Sequence, residues 1–77
     1  MDALNLMYME AQLVETFGDG DVKADVYSLA MPGEFQVIYR NAAGKILEED
    51  LLTGISTYKQ REPEILARLH ALAHGAK

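Results

Sequence analysis

Two histidines near the C-terminus have the spacing of metal ligands. His70 and His74 are four residues apart, so in a helix both would project from one flank, as two zinc ligands do. The residues between them are Ala-Leu-Ala, without the glutamate of the H-E-x-x-H pattern. A catalytic zinc site needs at least three protein ligands, and the sequence ties no third ligand to this pair. We therefore predict no metal site here, but two histidines near a helix C-terminus, where positive charge is favoured.

Carboxylates are also close together around the Gly-Asp-Gly-Asp stretch, as they are in a calcium loop. Asp19, Asp21 and Asp25 would have to act as oxygen ligands. An EF-hand loop beginning at Asp19 fails at its fifth position, which is Lys23, and at its twelfth, which is Ala30 instead of glutamate. This stretch is therefore interpreted as an acidic turn.

A third group of carboxylates, Glu48, Glu49 and Asp50, could in principle do acid–base chemistry. Adjacent residues of a strand point to opposite faces, so Glu48 and Glu49 cannot act on one substrate, whereas Glu48 and Asp50 could share a face. Acidic side chains also protect an edge strand from uncontrolled pairing. The sequence thus favours a solvated edge strand and predicts no catalytic residue.

Composition narrows the class of protein. The 77 residues fit a single domain, 1–77, and 49% of them are hydrophobic, an ordinary globular value. Twelve acidic against seven basic residues give a charge of −5, which disfavours nucleic acid and anionic membranes as partners. There is no cysteine and no run of apolar residues long enough to span a membrane, so a cytoplasmic protein without a cofactor is expected.

The stretch 25–52 predicts three antiparallel strands. Met31-Pro32-Gly33-Glu34 is typical of a type II turn, and Asn41-Ala42-Ala43-Gly44 of a short second loop. Tight loops at these positions set four cross-strand pairs: Tyr27 opposite Ile38, Asp25 opposite Arg40, Ile38 opposite Leu47, and Gln36 opposite Glu49. Asp25 and Arg40 should then form a cross-strand ion pair beside Lys45.

The flanking segments decide the fold. Residues 57–74 predict a C-terminal helix with a Thr57–Gln60 capping box, although regular helix could begin only at Pro63. Residues 3–17 show both a helical apolar stripe and a strand-like alternation. We favour an α+β fold with an N-terminal helix, a three-stranded antiparallel meander and a C-terminal helix. The alternative is a four-stranded antiparallel meander plus one C-terminal helix, with the Gly-Asp-Gly-Asp stretch as the first turn.

Bulky residues are expected on both faces of the sheet, and this leads to the functional hypothesis. One face carries Val26, Phe35, Val37, Tyr39 and Ile46, and the other carries Tyr27, Leu29, Ile38 and Leu47. Because small chains without disulfides often gain burial by association, we expect a non-enzymatic, homodimeric or larger interaction module. Its surface would be Tyr27, Leu29, Ile38 and Leu47, and it could also bind an unidentified protein partner. The alternative is an oligomeric ligand-binding or catalytic subunit whose interface pocket uses Tyr27, Arg40, Glu48 and His70.

Overall fold

A four-stranded antiparallel sheet with one helix on one face forms the fold of residues 11–75, the part of the chain that this computed structural model describes. The strands follow chain order across the sheet. They are β1 (Gln12–Asp19), β2 (Val22–Ser28), β3 (Phe35–Arg40) and β4 (Ile46–Leu52). A single 3₁₀ turn (Tyr58–Arg61) then leads into the helix α1 (Glu62–Ala73). The α+β class is confirmed, in the four-stranded form that was the alternative prediction.

The N-terminal helix predicted over residues 3–17 is wrong wherever the structure describes it. Gln12–Asp19 is a strand that pairs with β2 from Gln12 opposite Ser28 to Asp19 opposite Val22. Residues 3–10 of that prediction lie outside the described residues. Periodicity could not decide, because both patterns were present, whereas a tight turn at Gly20 lets the whole strand pair with its neighbour.

Both predicted turns are present. The amide of Glu34 donates to the carbonyl of Met31 at 3.2 Å, and Gly33 has a φ of +81°, as a type II turn requires. In the second loop, the amide of Gly44 donates to the carbonyl of Asn41 at 2.9 Å, and Gly44 has a φ of +85°. Positive φ is the reason these two positions favour glycine.

The predicted register between β2 and β3 is wrong by two residues. Tyr27 lies opposite Gln36 instead of Ile38. The chain between the two strands is longer than a tight hairpin, with the Leu29 amide donating to the Glu34 carbonyl at 3.0 Å. Because side chains alternate with a period of two, a shift of two residues leaves every side chain on its predicted face.

The register between β3 and β4 is also shifted by two. Ile38 lies opposite Glu49 instead of Leu47, and Gln36 lies opposite Leu51. An irregularity near Tyr39 adds one residue to β4 at its start. A bulge of this kind cannot be inferred from turn residues alone, since it changes the pairing after the turn has been fixed.

The C-terminal helix is confirmed, with its first turn as a separate 3₁₀ segment. The capping box is present: Thr57 accepts from the Lys59 amide, and the Gln60 side chain accepts from the Thr57 amide. The core lies between α1 and one sheet face, where Tyr39 and Leu69 are among its largest fully buried side chains. Its buried members are Val22, Ala24, Val26, Val37, Tyr39, Leu52, Ile55, Ile65 and Leu69.

Candidate functional site

Three side chains that could bind a metal meet where the first hairpin lies against the end of α1. His70 Nδ1 lies 3.1 Å from Asp19 Oδ2, and His74 Nε2 lies 2.9 Å from Asp19 Oδ1. The two imidazole rings are 4.3 Å apart between centroids. One ligand atom from each of the three residues falls within 4.8 Å of the others. We call this group the Asp-His-His cluster.

The electrostatics of the cluster come from its hydrogen bonds. Ring N–H groups of His74 and His70 donate to the two carboxylate oxygens, which lowers the pKa of Asp19 below its ordinary value. The side chains of His70 and His74 are 69% and 54% exposed, while that of Asp19 is 30% exposed. The cluster is therefore open to solvent on its histidine side.

The positions of the cluster residues are fixed by buried neighbours in the sheet and in α1. Asp19 ends β1, and its pairing partner Val22 is 5% exposed and belongs to the core. His70 follows Leu69, which is 1% exposed beneath the helix. Burial of these neighbours holds both sides of the cluster in place.

Sequence reasoning found the two histidines but missed Asp19 as their partner. The residues are separated by 51 and 55 positions, a distance over which no local pattern carries information. The available signal was the four-stranded alternative, which ends β1 at the Gly-Asp-Gly-Asp turn. The calcium interpretation drew attention to Asp19 for a different chemistry.

The sheet face away from α1 forms a second candidate surface, which we call the outer face. Cross-strand partners share a face, so the pairs Leu13–Tyr27, Tyr27–Gln36 and Gln36–Leu51 make one row across all four strands. Leu13 is 52% exposed and Leu51 is 57% exposed. Both helical segments of the described residues 11–75, the 3₁₀ turn and α1, pack on the opposite face, which holds the core.

Polar residues of the outer face are already paired with one another. Arg40 forms the predicted ion pair with Asp25, but along a diagonal, because Asp25 lies directly opposite Ile38 instead of Arg40. Asp25 also accepts a hydrogen bond from Thr16 Oγ1 at 2.9 Å. The neighbouring Tyr27 hydroxyl is the main cause of a raised pKa for Arg40; Asp25 adds a smaller effect in the same direction, and burial partly opposes both. Gln36 is likewise bonded, through Nε2, to a carboxylate oxygen of β4 at 2.9 Å. The ion pair neutralises Arg40 and Asp25, and the other two contacts satisfy polar groups without changing the charge.

The four residues predicted as an interaction surface do not form one exposed patch. Tyr27 and Leu29 are half-buried, and Leu47 is 41% exposed beside the irregularity in β4. Ile38 is 4% exposed, so its side chain is covered within a single copy. The exposed leucines of the outer face are instead Leu13 and Leu51, which the sequence did not single out for this role.

The predicted pocket residues separate into three places. Tyr27 and Arg40 line a hollow of about 200 Å³ on the outer face, together with Ala11, Gln36 and Ile38. Glu48 lies on the helix side, where Arg68 Nε donates to its Oε2 at 2.8 Å and a second guanidinium N–H completes a bidentate pair. His70 belongs to the Asp-His-His cluster.

Two arginines, one directly before α1 and one in the middle of it, also form ion pairs with carboxylates. Arg68 pairs with Glu48, and Arg61 contacts Glu64 at 3.4 Å, so the charges of both arginines are compensated. Beside them, burial, followed by the negative charge of nearby carboxylates, raises the pKa of Tyr39 to about 12. The Glu48–Arg68 pair therefore joins β4 to α1.

Comparison with known proteins adds nothing to the functional argument, which rests on the geometry. None of the protein-family models, curated proteins or solved structures searched matches this chain. Within the described residues, no helix has the length and apolar character needed to cross a membrane. Two features can therefore carry a functional argument: the outer face and the Asp-His-His cluster.

Proposed function

We propose that this protein is a non-enzymatic interaction module whose outer face binds a second copy of the chain. The observation that carries the proposal is the row on the outer face, where exposed Leu13 and Leu51 stand at the two ends and Tyr27 and Gln36 lie between them. Large apolar side chains exposed together on one face are typical of an interaction surface. The proposal keeps a cytoplasmic location for the protein.

The size of the face predicts a weak dimer. Four strands at about 4.8 Å spacing and seven residues at about 3.3 Å give a projected face of roughly 19 by 23 Å. Two copies would then cover roughly 900 Å² between them, below the 1,200–2,000 Å² or so of stable interfaces. Association should therefore depend on concentration.

The charge of the face favours a second copy as the occupant. The whole chain carries −5, so most pairs of surfaces on two copies repel each other. The charged strand residues of the outer face cancel, with Lys23 and Arg40 against Asp25 and Glu49. Two outer faces can therefore approach each other without the repulsion that opposes other contacts.

Sedimentation equilibrium of the full chain over a wide concentration range tests this proposal. We expect the average mass to rise from one copy towards two, and Leu51→Glu to weaken association by about 10-fold or more, which corresponds to about 1.4 kcal/mol. The matched control is Leu66→Glu, since Leu66 is 40% exposed on α1, away from the outer face. A monomer at every concentration, or equal effects of both variants, would contradict the proposal.

The hollow at Tyr27 and Arg40 favours a second candidate function, ligand binding at the same interface. One copy offers about 200 Å³, but two facing hollows would give roughly 400 Å³, within the range of small-molecule sites, about 300–1,000 Å³. Glu48 and His70 take no part in this version. Ligands found by thermal shift should lose their effect in Leu51→Glu, and a ligand that stabilises both proteins equally would bind elsewhere.

A further inference from the structure

We propose that the Asp-His-His cluster is a binding site for a divalent transition metal of the zinc class. Asp19, His70 and His74 would be its three protein ligands. The inference does not depend on the proposed interaction function. The cluster lies where the turn between β1 and β2 meets the C-terminal end of α1, and not on the outer face.

The distances fit a metal with small adjustment. Zinc binds imidazole nitrogen and carboxylate oxygen at about 2.0–2.2 Å, so two ligand atoms of a tetrahedral site lie about 3.4 Å apart. The nitrogen–oxygen distances in the cluster are 3.1 and 2.9 Å. Asp19 would move by about half an ångström to admit the ion, and the two rings, whose ligand atoms lie within 4.8 Å of each other, would turn towards it.

The ligand types select the metal. Two imidazoles and one carboxylate form a set that suits zinc and its first-row neighbours, whereas calcium and magnesium prefer oxygen ligands throughout. High exposure of both imidazoles leaves a fourth coordination position open to water. The site therefore resembles an open zinc centre in ligand number, not a closed structural one.

The site is held together before the metal binds. Each hydrogen bond in the cluster uses a proton on a ring nitrogen, and a metal ion would replace these protons between the same atoms. The helix is anchored by buried Ile65 and Leu69, and the hairpin by buried Val22. Little conformational freedom is then lost on binding, which favours affinity.

Zinc titration of the tag-free full chain, in competition with a chromophoric chelator, tests the inference. We expect one zinc per chain, and loss of affinity by more than about 10-fold in Asp19→Asn, His70→Gln and His74→Gln, since even changes behind the ligands cost roughly 10–100-fold. Asp21→Asn is the matched control, because Asp21 is exposed in the same turn and outside the cluster. It should bind zinc as the unaltered protein does.

Cobalt substitution supplies a readout that a purely structural hydrogen-bond cluster would not give. Bound Co²⁺ should show the visible absorption of a four- or five-coordinate site with nitrogen ligands, and His74→Gln should abolish it. Circular dichroism without metal checks that each variant is folded. Zinc affinity equal in the unaltered protein and in folded His70→Gln or Asp19→Asn would overturn the inference, as would an affinity loss of the same size in Asp21→Asn.

Discussion

Replacing Leu69 with alanine tests whether α1 is fixed to the sheet in the way that the functional surfaces require. Leu69 is 1% exposed and lies in the core cluster beneath the helix. The substitution removes three carbon atoms, worth about 2.4 kcal/mol at roughly 0.8 kcal/mol for each methylene, and a residual cavity adds to this cost. We expect the free energy of unfolding to fall by about 3 kcal/mol.

This loss is large for so small a domain. At about 0.05–0.15 kcal/mol per residue, a chain of 77 residues has a total stability of about 4–12 kcal/mol. Leu69→Ala would then remove between about a quarter and three quarters of it. Urea unfolding followed by circular dichroism measures the change, provided that protein concentration is fixed at a value where the chain is monomeric.

Leu66→Ala is the control for this measurement. It makes the same change on the same helix, so helix propensity cancels between the two variants. Leu66 is 40% exposed, and its truncation should cost about 1 kcal/mol because water can fill the gap. Equal losses in the two variants would refute the assignment of the helix face that packs on the sheet.

Two further predictions concern the contacts around the helix and the central turn. Gly33→Ala should destabilise the fold by about 1–3 kcal/mol in urea unfolding, because Gly33 has positive φ and a Cβ would lie 3.2 Å from the carbonyl of Ile55. Gly44→Ala carries the same φ cost without a close contact, so a loss as large as that of Gly33→Ala would contradict the role of Ile55. Hydrogen bonding to Arg68 lowers the pKa of Glu48 below its ordinary value of 4.5, so its contribution to stability is present above that pH and lost as pH falls through the lowered pKa. The stability difference between the unaltered protein and Glu48→Gln should therefore shrink on acidification, and a difference that is constant with pH would contradict this pairing.

Local signals in the sequence were sufficient for the turns and for the C-terminal helix. Met31-Pro32-Gly33-Glu34 and the Thr57–Gln60 capping box are chemical features of a few neighbouring residues, and both are present. The faces of β2 and β3 were also predicted correctly, since alternation survives a register error of two residues. Features that depend only on neighbouring residues could thus be predicted from the sequence.

Long-range pairing was the part that local patterns could not determine. Residues 12–17 had both helical and strand periodicity, and pairing with β2 decided the outcome. The same limit applies to the Asp-His-His cluster, because Asp19 joins His70 and His74 only after β1 is a strand and α1 lies across its end. Because an N-terminal helix was predicted, Asp19 was not recognised as a partner of the two histidines.

The two candidate surfaces use opposite sides of the same strand, and this makes them separable. Asp19 pairs with Val22, a core residue on the helix side, while Leu13 pairs with Tyr27 on the outer face. The irregularity in pairing between Leu13 and Glu15 reverses the alternation of side chains along β1, so Leu13 and Asp19 point to opposite faces. A metal at the helix end can therefore bind without covering the leucines of the outer face, and a second copy on the outer face leaves both histidines exposed. Coupling between the two events would require movement of the whole first hairpin, which the buried residues Val22, Ala24 and Val26 oppose.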